Sequence, residues 1–351
     1  MKIVLVCKGN LKSAGMRNFG YDLRYLNGLV RNGHCVNVYN VNDRIKALSA
    51  GGIFKKAGHK RMNRDFIKFI DHYRPDAIIL SHTNAVLPET YQAVREKYPE
   101  LKIAHVNVDC LYSSENQENL KKWARVTDAG FITTGGNVLS RFNSADSKFY
   151  FMPNIVDASI DTGRAFDLSA PPYDVCCFMN DDGSDAADNR VATALAVQND
   201  VAGIQTHYRG FNGQPPISGA EQVDVYGHSA MALNLSRIAV NGRQSDAEER
   251  YLYSSDRIAQ IMGNGCLAFL QRGFALENLY REDQDAVFFN DVNDLVTKVA
   301  YYKNTPAERQ KIAQSGWARS HKYFNEKVVM RYVIETLFAQ TPRNKYLWQE
   351  L

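Results

Sequence analysis

The sequence predicts an α/β protein of two Rossmann-like domains, each a doubly wound parallel sheet, facing each other across a cleft. Three observations carry this. At 351 residues the chain exceeds one ordinary domain and suits two. Short, continuously apolar runs alternate with amphipathic segments, as strands covered on both faces require. The alternation occurs twice, on either side of a stretch punctuated by Pro153, Pro171 and Pro172.

In the first half, "KIVLVC" (2–7) precedes a helical pattern near 16–33, and "CVNVYNV" (35–41) follows it. "AIILS" (77–81), "KIAHVN" (102–107), "AGFITT" (129–134) and "KFYFM" (148–152) complete the strand set. In the second half the expected strands are "DVCCFM" (174–179), "MALNLS" (231–236), "CLAFLQ" (266–271) and "AVFF" (286–289). Helices fit 188–200, 254–264, 275–281, 291–304, 306–322 and 326–338. The expected boundaries are 1–160 and 171–325 for the two domains. Residues 326–351 form a helix and tail crossing back to the first domain.

Composition fits a soluble globular chain with ample core: 45% hydrophobic and 23% charged residues. Lys plus Arg (42) barely exceeds Asp plus Glu (38), so total charge demands no polyanionic partner. Locally, Arg44, Lys46, Lys55, Lys56, Lys60, Arg61 and Arg64 follow one another without a carboxylate. Such a run reads as a solvated face, or as a patch for phosphate, lipid headgroups or nucleic acid. The six cysteines show no C-x-x-C and lie mostly in apolar runs, which points to free thiols in a reducing compartment. No stretch resembles a signal peptide or membrane span, so the expected location is cytoplasmic, with peripheral membrane contact compatible.

Candidate chemistry follows the strand ends, because open α/β sheets bind ligands beyond the carboxyl ends of their strands. "YSSDRIAQIMGNGCLAFLQ" (253–271) places Ser255, Asp256 and Arg257 at a helix start. Ser255 or Asp256 can cap that helix. The helix's free N–H groups and Arg257 equally suit an anion. The loop "MNDDGSDAADNR" offers Asn180 and Arg190, with Asp181 and Asp182 in an ordinary turn and Asp188 as an N-cap. "KGNLKSAGMRNFG" lacks a complete G-x-G-x-x-G. Asp283-x-Asp285 reads as a solvated turn, and no ligand spacing suggests a metal.

From "YSSDRIAQIMGNGCLAFLQ" through "AVFFNDVNDLVTKV" and "PAERQKIAQSGWARSHKYF", the chain resembles the C-terminal domain of GT-B glycosyltransferases of the CgeB-like, group 1 type. The resemblance covers about 180 residues well. It is similar, more distantly, to phage DNA β-glucosyltransferase, whose catalytic Asp corresponds to Asp109 in "VNVD".

The resemblance implies that 1–160 binds an acceptor and 171–325 binds a nucleotide-sugar donor, a UDP-sugar foremost, with no cofactor or metal. Donor contacts fall on Asn180, Arg190, Ser255, Asp256, Arg257 and Gln260, and on Gly15 and Arg17 near the donor–acceptor junction. Gln260 stands where the family has a ribose-binding Glu. The E-x₇-E pair of retaining enzymes is absent, since Leu252 and Gln260 occupy its places. An inverting transfer with Asp109 as base follows, Glu115 and His82 being the alternatives. Lys55, Lys56, Lys60 and Arg61 mark the acceptor region. The acceptor is a cell-envelope glycan or lipid-linked sugar. Modified DNA is a second possibility, and a protein that binds without turnover a third.

Overall fold

The structure is a computed structural model describing residues 1–9, 20–49, 55–81, 83–145, 147–181, 188–240, 243–339 and 344–349. At Lys55, Ala239, Val240 and Arg243 it describes the backbone alone. The chain divides into two compact units. Unit 1 comprises Met1–Asp109, Ser114–Met152 and Glu326–Tyr346; unit 2 comprises Cys110–Ser113, Pro153–Asn325 and Leu347–Leu351.

Unit 1 is built on six parallel strands: β1 (Lys2–Cys7), β2 (Cys35–Asn40), β3 (Ala77–Leu80), β4 (Lys102–Asn107), β5 (Ala129–Ile132) and β6 (Lys148–Phe151). Their order is β2-β1-β3-β4-β5-β6. β3 and β5 are buried at every position, as their unbroken apolar runs demand. The helices are α1 (Tyr21–Arg31), α2 (Val41–Leu48), α3 (Lys55–Tyr73), α4 (Pro88–Lys97), α5 (Ser114–Ala124) and the short α6 (Asn137–Ser140). In α3, Met62, Phe66 and Ile70 recur at four-residue spacing and enter the core beneath the sheet. The C-terminal helix Glu326–Ala339 packs on α1 at Gly28, where an added Cβ would lie 2.2 Å from the Glu326 carbonyl. Arg31 closes the contact on Glu326 at 2.6 Å.

Unit 2 carries β7 (Tyr173–Phe178), β8 (Thr206–Arg209), β9 (Ser229–Asn234), a short antiparallel pair β10 (Ala239–Val240) and β11 (Arg243–Gln244), β12 (Leu267–Gln271) and β13 (Val287–Phe289). Five of them form a parallel sheet ordered β13-β12-β9-β7-β8. Its helices are α7 (Arg190–Asp200), α8 (Ala220–Gly227), α9 (Ala247–Arg250), α10 (Asp256–Gly263), α11 (Val292–Asn304) and α12 (Pro306–Tyr323).

The structure departs from expectation at several places. β8 and α8 were not foreseen: "THYR" is a half-buried edge strand with no apolar run to announce it. The expected helix at 275–281 is a single 3-10 turn, Leu276–Asn278, entered through Ala275 at φ 53°. The apolar residues there, Phe274, Leu276, Leu279 and Tyr280, record burial and not helical repeat. The segment 153–160, placed above in the first domain, is counted in unit 2. The "GNG" that closes α10 holds the residues that follow this segment. Asn264 accepts from Gly163 N–H at 3.0 Å and donates to the Gln260 carbonyl, and Gly265 turns the chain at φ 78°. A Cβ on Gly265 would sit 2.7 Å from Phe166, so packing and conformation both select glycine.

A further departure is Asp285. It is fully buried and takes Arg281 as a fork at 2.7 and 2.8 Å, the Ser315 hydroxyl at 2.8 Å and the Arg281 N–H. It is no solvated turn: two residues earlier, Asp283 turns the backbone at φ 52°, and the Asp285 carboxylate is fully buried. Burial would raise its carboxyl, but the hydrogen bonds from Arg281 and Ser315 outweigh this and hold it below the ordinary range. Its stabilisation is therefore complete above the unfolded pKa of about 3.9 and fades as pH falls through the lower folded value. Asp285→Ala removes this buried acceptor from the Ser315 hydroxyl and the half-exposed Arg281, and thermal denaturation at neutral pH should show a loss of about 2 kcal/mol. An unchanged melting temperature would refute that role.

Candidate active site

Each sheet reverses its direction of winding at one point, and there the loops leaving two neighbouring strands part to opposite faces. In unit 2 that point lies between β7 and β9, which are adjacent while β8 lies outside β7. On the β7 side lie Asn180, just past the strand, and Asp188–Arg190, leading into α7; on the β9 side lies Asn234–Arg237, at and past the strand's end.

Asn234, the last residue of β9, is 1% exposed and organises this end of the sheet. Its Oδ1 accepts the Ser255 hydroxyl at 2.7 Å and Arg257 Nε at 3.3 Å. Arg257 Nη2 donates to the Leu235 carbonyl at 2.7 Å. Ser255 occupies the N-cap position of α10 with extended backbone, yet its side chain makes no capping bond. The capping role expected for Ser255 is thus replaced: its hydroxyl faces Asn234. Asp256, exposed, makes no side-chain cap either. A helix start without a side-chain cap, beside an anchored guanidinium, is chemically suited to an anion.

On the β7 side, Arg190 is buried and forks onto Asp188, with Nε and Nη2 at 2.8 and 2.5 Å. Asp188 also accepts the Arg190 N–H, while Asn189 takes the N-cap position of α7 that Asp188 was expected to hold. The more exposed cation here is Arg237, which bonds Asp188 through Nε and the Asn180 carbonyl through Nη2, each at 3.2 Å. Asp188 is held below the usual carboxylate range. Burial opposes this, and the side-chain and backbone hydrogen bonds of Arg190, then the charges of Arg190 and Arg237, overcome it. Burial pushes the Cys177 thiol, near the end of β7, up to about 12 against the pull of Arg257 and Arg190.

One turn into α10, Gln260 Oε1 accepts from Gln222 Nε2 of α8 at 2.7 Å. Tyr112, in the Cys110–Ser113 segment of unit 2, packs edge-on against Tyr253 with centroids 5.6 Å apart.

In unit 1 the corresponding reversal lies between β1 and β3. Asp22, in the first turn of α1, accepts the Ser81 hydroxyl at the end of β3. Asp109 lies two residues beyond β4, half-buried, its N–H bonded to Asn107 Oδ1 at 2.8 Å. Thr133 pins the same loop through the Val108 carbonyl at 3.1 Å. Glu115 is exposed in the first turn of α5. Gly15, Arg17, His82 and Asp182 lie outside the described residues.

The basic segment is two helices and not one uniform patch. Arg44 pairs with Asp65 at 3.8 Å and Lys46 with Asp43 at 3.6 Å, carboxylates that flank the run in sequence. Arg61 donates to the Leu48 carbonyl. Lys56, Lys60, Arg64 and Lys68 are exposed at four-residue spacing along α3, opposite its apolar stripe.

The sequence reading missed Asn234, Arg237, Asp188 as a bridge, Gln222 and Asp22. Position at strand ends was the available signal for Asn234 and Arg237. Gln222 had none, since its helix was itself unforeseen.

Residues 189–335 match a family model described as glycosyl transferase-like. No curated protein matches the sequence. Among solved structures, sucrose-phosphate synthase from Thermosynechococcus elongatus superposes with a TM-score of 0.64 at 11% identity, covering 97% of this chain and 100% of that one. Anabaena HepE, solved with UDP and glucose, gives 0.60 at 12% identity over 97% and 100%. A UDP-N-acetylglucosamine 2-epimerase-like protein from Listeria monocytogenes gives 0.55 at 11% identity over 99% and 98%. At such identities these likenesses establish the fold. Residues 189–335 are thus similar to glycosyl transferase-like proteins, and the chain has the two-domain GT-B fold.

Proposed function

We propose that the chain transfers a sugar from a UDP-sugar to a hydroxyl of a cell-envelope glycan or lipid-linked acceptor, inverting the anomeric centre. The observation that carries the reading is the uncapped start of α10 beside Arg257, itself anchored on Asn234 at the point where the unit 2 sheet reverses. Helix dipole and guanidinium would bind the donor diphosphate and stabilise the charge it gains on leaving. Asp109 would take the acceptor's hydroxyl proton as that oxygen attacks the anomeric carbon. The bond from that carbon to the diphosphate would break with its electron pair on the departing nucleotide. HepE was solved with UDP-glucose as well as UDP, which supports a uridine donor.

The fold also serves a protein named as an epimerase, and Gln260 bonded to Gln222 replaces a carboxylate. These two observations favour, as a second reading, a nucleotide-binding protein without transfer. Thermal shift against uridine, adenine and guanine nucleotide sugars, followed by hydrolysis of the stabilising sugar in EDTA, tests both. A ligand at a hundred times its dissociation constant should stabilise the fold by about 2.7 kcal/mol. Stabilisation without turnover would support the second reading, and a strict cation requirement would refute the metal-free mechanism.

Acceptor engagement is assigned to unit 1 and its α3 stripe. Neutralising Lys55, Lys56, Lys60 and Arg61 together should raise the KM for an anionic lipid-linked acceptor by tenfold or more, at about 1 kcal/mol per cation near such a surface. Donor affinity should stay unchanged. A fall in donor affinity with constant acceptor KM would reverse the assignment. Among the described residues no helix is long and apolar enough to cross a membrane.

A further inference from the structure

We infer that Arg237 is the residue by which this site distinguishes a nucleoside diphosphate from a monophosphate, and that Asp188 is the positioning residue that holds it for that task. The inference rests on the nucleotide-binding reading above.

Charge balance comes first. Two guanidinium groups, Arg190 and Arg237, share the single carboxylate of Asp188. Asp188 is 2% exposed and Arg190 6%, and their fork already matches one charge with one. Among the described residues, Arg237 therefore has no carboxylate of its own, and its charge is surplus. A surplus positive charge beside a buried pair, at the carboxyl ends of β7 and β9, calls for an anion.

Preorganisation comes second. An ordinary surface arginine loses about 2 kcal/mol of rotamer freedom when it grips a ligand. Arg237, 40% exposed, is instead fixed at two points, Asp188 through Nε and the Asn180 carbonyl through Nη2. The ordering cost is met before any ligand arrives. A lysine carries all its donors on one nitrogen and lacks the planar fork that reaches Asp188 and the Asn180 carbonyl from separate atoms.

Placement comes third. Arg237 is bound to the Asn180 carbonyl just past β7 and to Asp188 before α7, and Arg257 to groups at the end of β9. These strands are adjacent and parallel, with Cys176 opposite Ala232. Neighbouring strands lie about 4.8 Å apart, the scale of two linked phosphates. A monophosphate needs one of these forks; a diphosphate can use both.

The test is calorimetric titration of the full chain with UDP and UMP, ADP and AMP, and GDP and GMP. For the base that binds, the wild-type protein should prefer the diphosphate. Arg237→Gln should weaken the diphosphate about tenfold, a loss of ~1.4 kcal/mol, and leave the monophosphate within about twofold. Arg237→Lys should behave like the Gln variant, and Asp188→Asn should narrow the same ratio. Because Asp188→Asn risks misfolding around Arg190, the exposed Arg237 variants decide the matter. An unchanged ratio in Arg237→Gln, or an equal fall for both nucleotides, overturns the inference alone. Wild-type protein that binds none of the six overturns the nucleotide reading and this inference with it.

Discussion

Asp109→Asn should leave the protein folded and its nucleotide affinity intact while turnover falls by about 10² to 10⁴, the usual worth of a positioned proton acceptor. The amide keeps the size of the carboxylate and can still accept hydrogen bonds, but it cannot take a proton at neutral pH. The loop is held by groups that the substitution does not touch. Asn107 Oδ1 accepts the Asp109 N–H, and the Val108 carbonyl accepts the Thr133 hydroxyl. Folding should therefore survive, which separates the catalytic role from a structural one. A structural Asp109 would give a lower melting temperature and near-normal turnover in the folded fraction. Near-normal turnover in a well-folded variant would exclude Asp109 as base. Asp22, bonded to Ser81 where the unit 1 sheet reverses, would then be the next carboxylate to replace, ahead of the exposed Glu115.

The strands were legible because both faces of a parallel sheet are covered, so "KIVLVC" and "AIIL" admit few other readings. β8 was not, because an edge strand needs no apolar run, and "THYR" carries none. The start of α10 was legible as a location, since Ser255, Asp256 and Arg257 follow a helix-start pattern. The roles of these residues were not. Whether Ser255 caps its helix or bonds Asn234 depends on a residue 21 positions away that only strand pairing brings near. Arg190 shows the same limit. Spacing marks an arginine at a helix entrance, but Asp188, two residues earlier, takes up its fork, and the surplus charge passes to Arg237. The basic run misled for a related reason. Counting charges from 44 to 64 omitted Asp43 and Asp65, whose pairs with Lys46 and Arg44 lie just outside the window.

Arg257→Ala should weaken binding of the donor nucleotide by about 10- to 100-fold, the range expected when a charge-assisted hydrogen bond worth about 1.5–3 kcal/mol is removed. The effect should be large because the guanidinium is already fixed, through Nε to Asn234 and Nη2 to Leu235, and so binds with little ordering cost. Asn234→Ala removes that anchor without removing the charge. It should cost affinity, but less than Arg257→Ala, and it should also release the Ser255 hydroxyl at the start of α10. If Asn234 acts through Arg257, the double variant should bind no worse than Arg257→Ala beyond the part owed to Ser255. Fully additive losses would mean that Asn234 acts through a separate route. Affinity unchanged by Arg257→Ala in a folded protein would remove the anion site from the start of α10 altogether. The nucleotide would then have to be held by the Asp188–Arg237 side of the sheet alone.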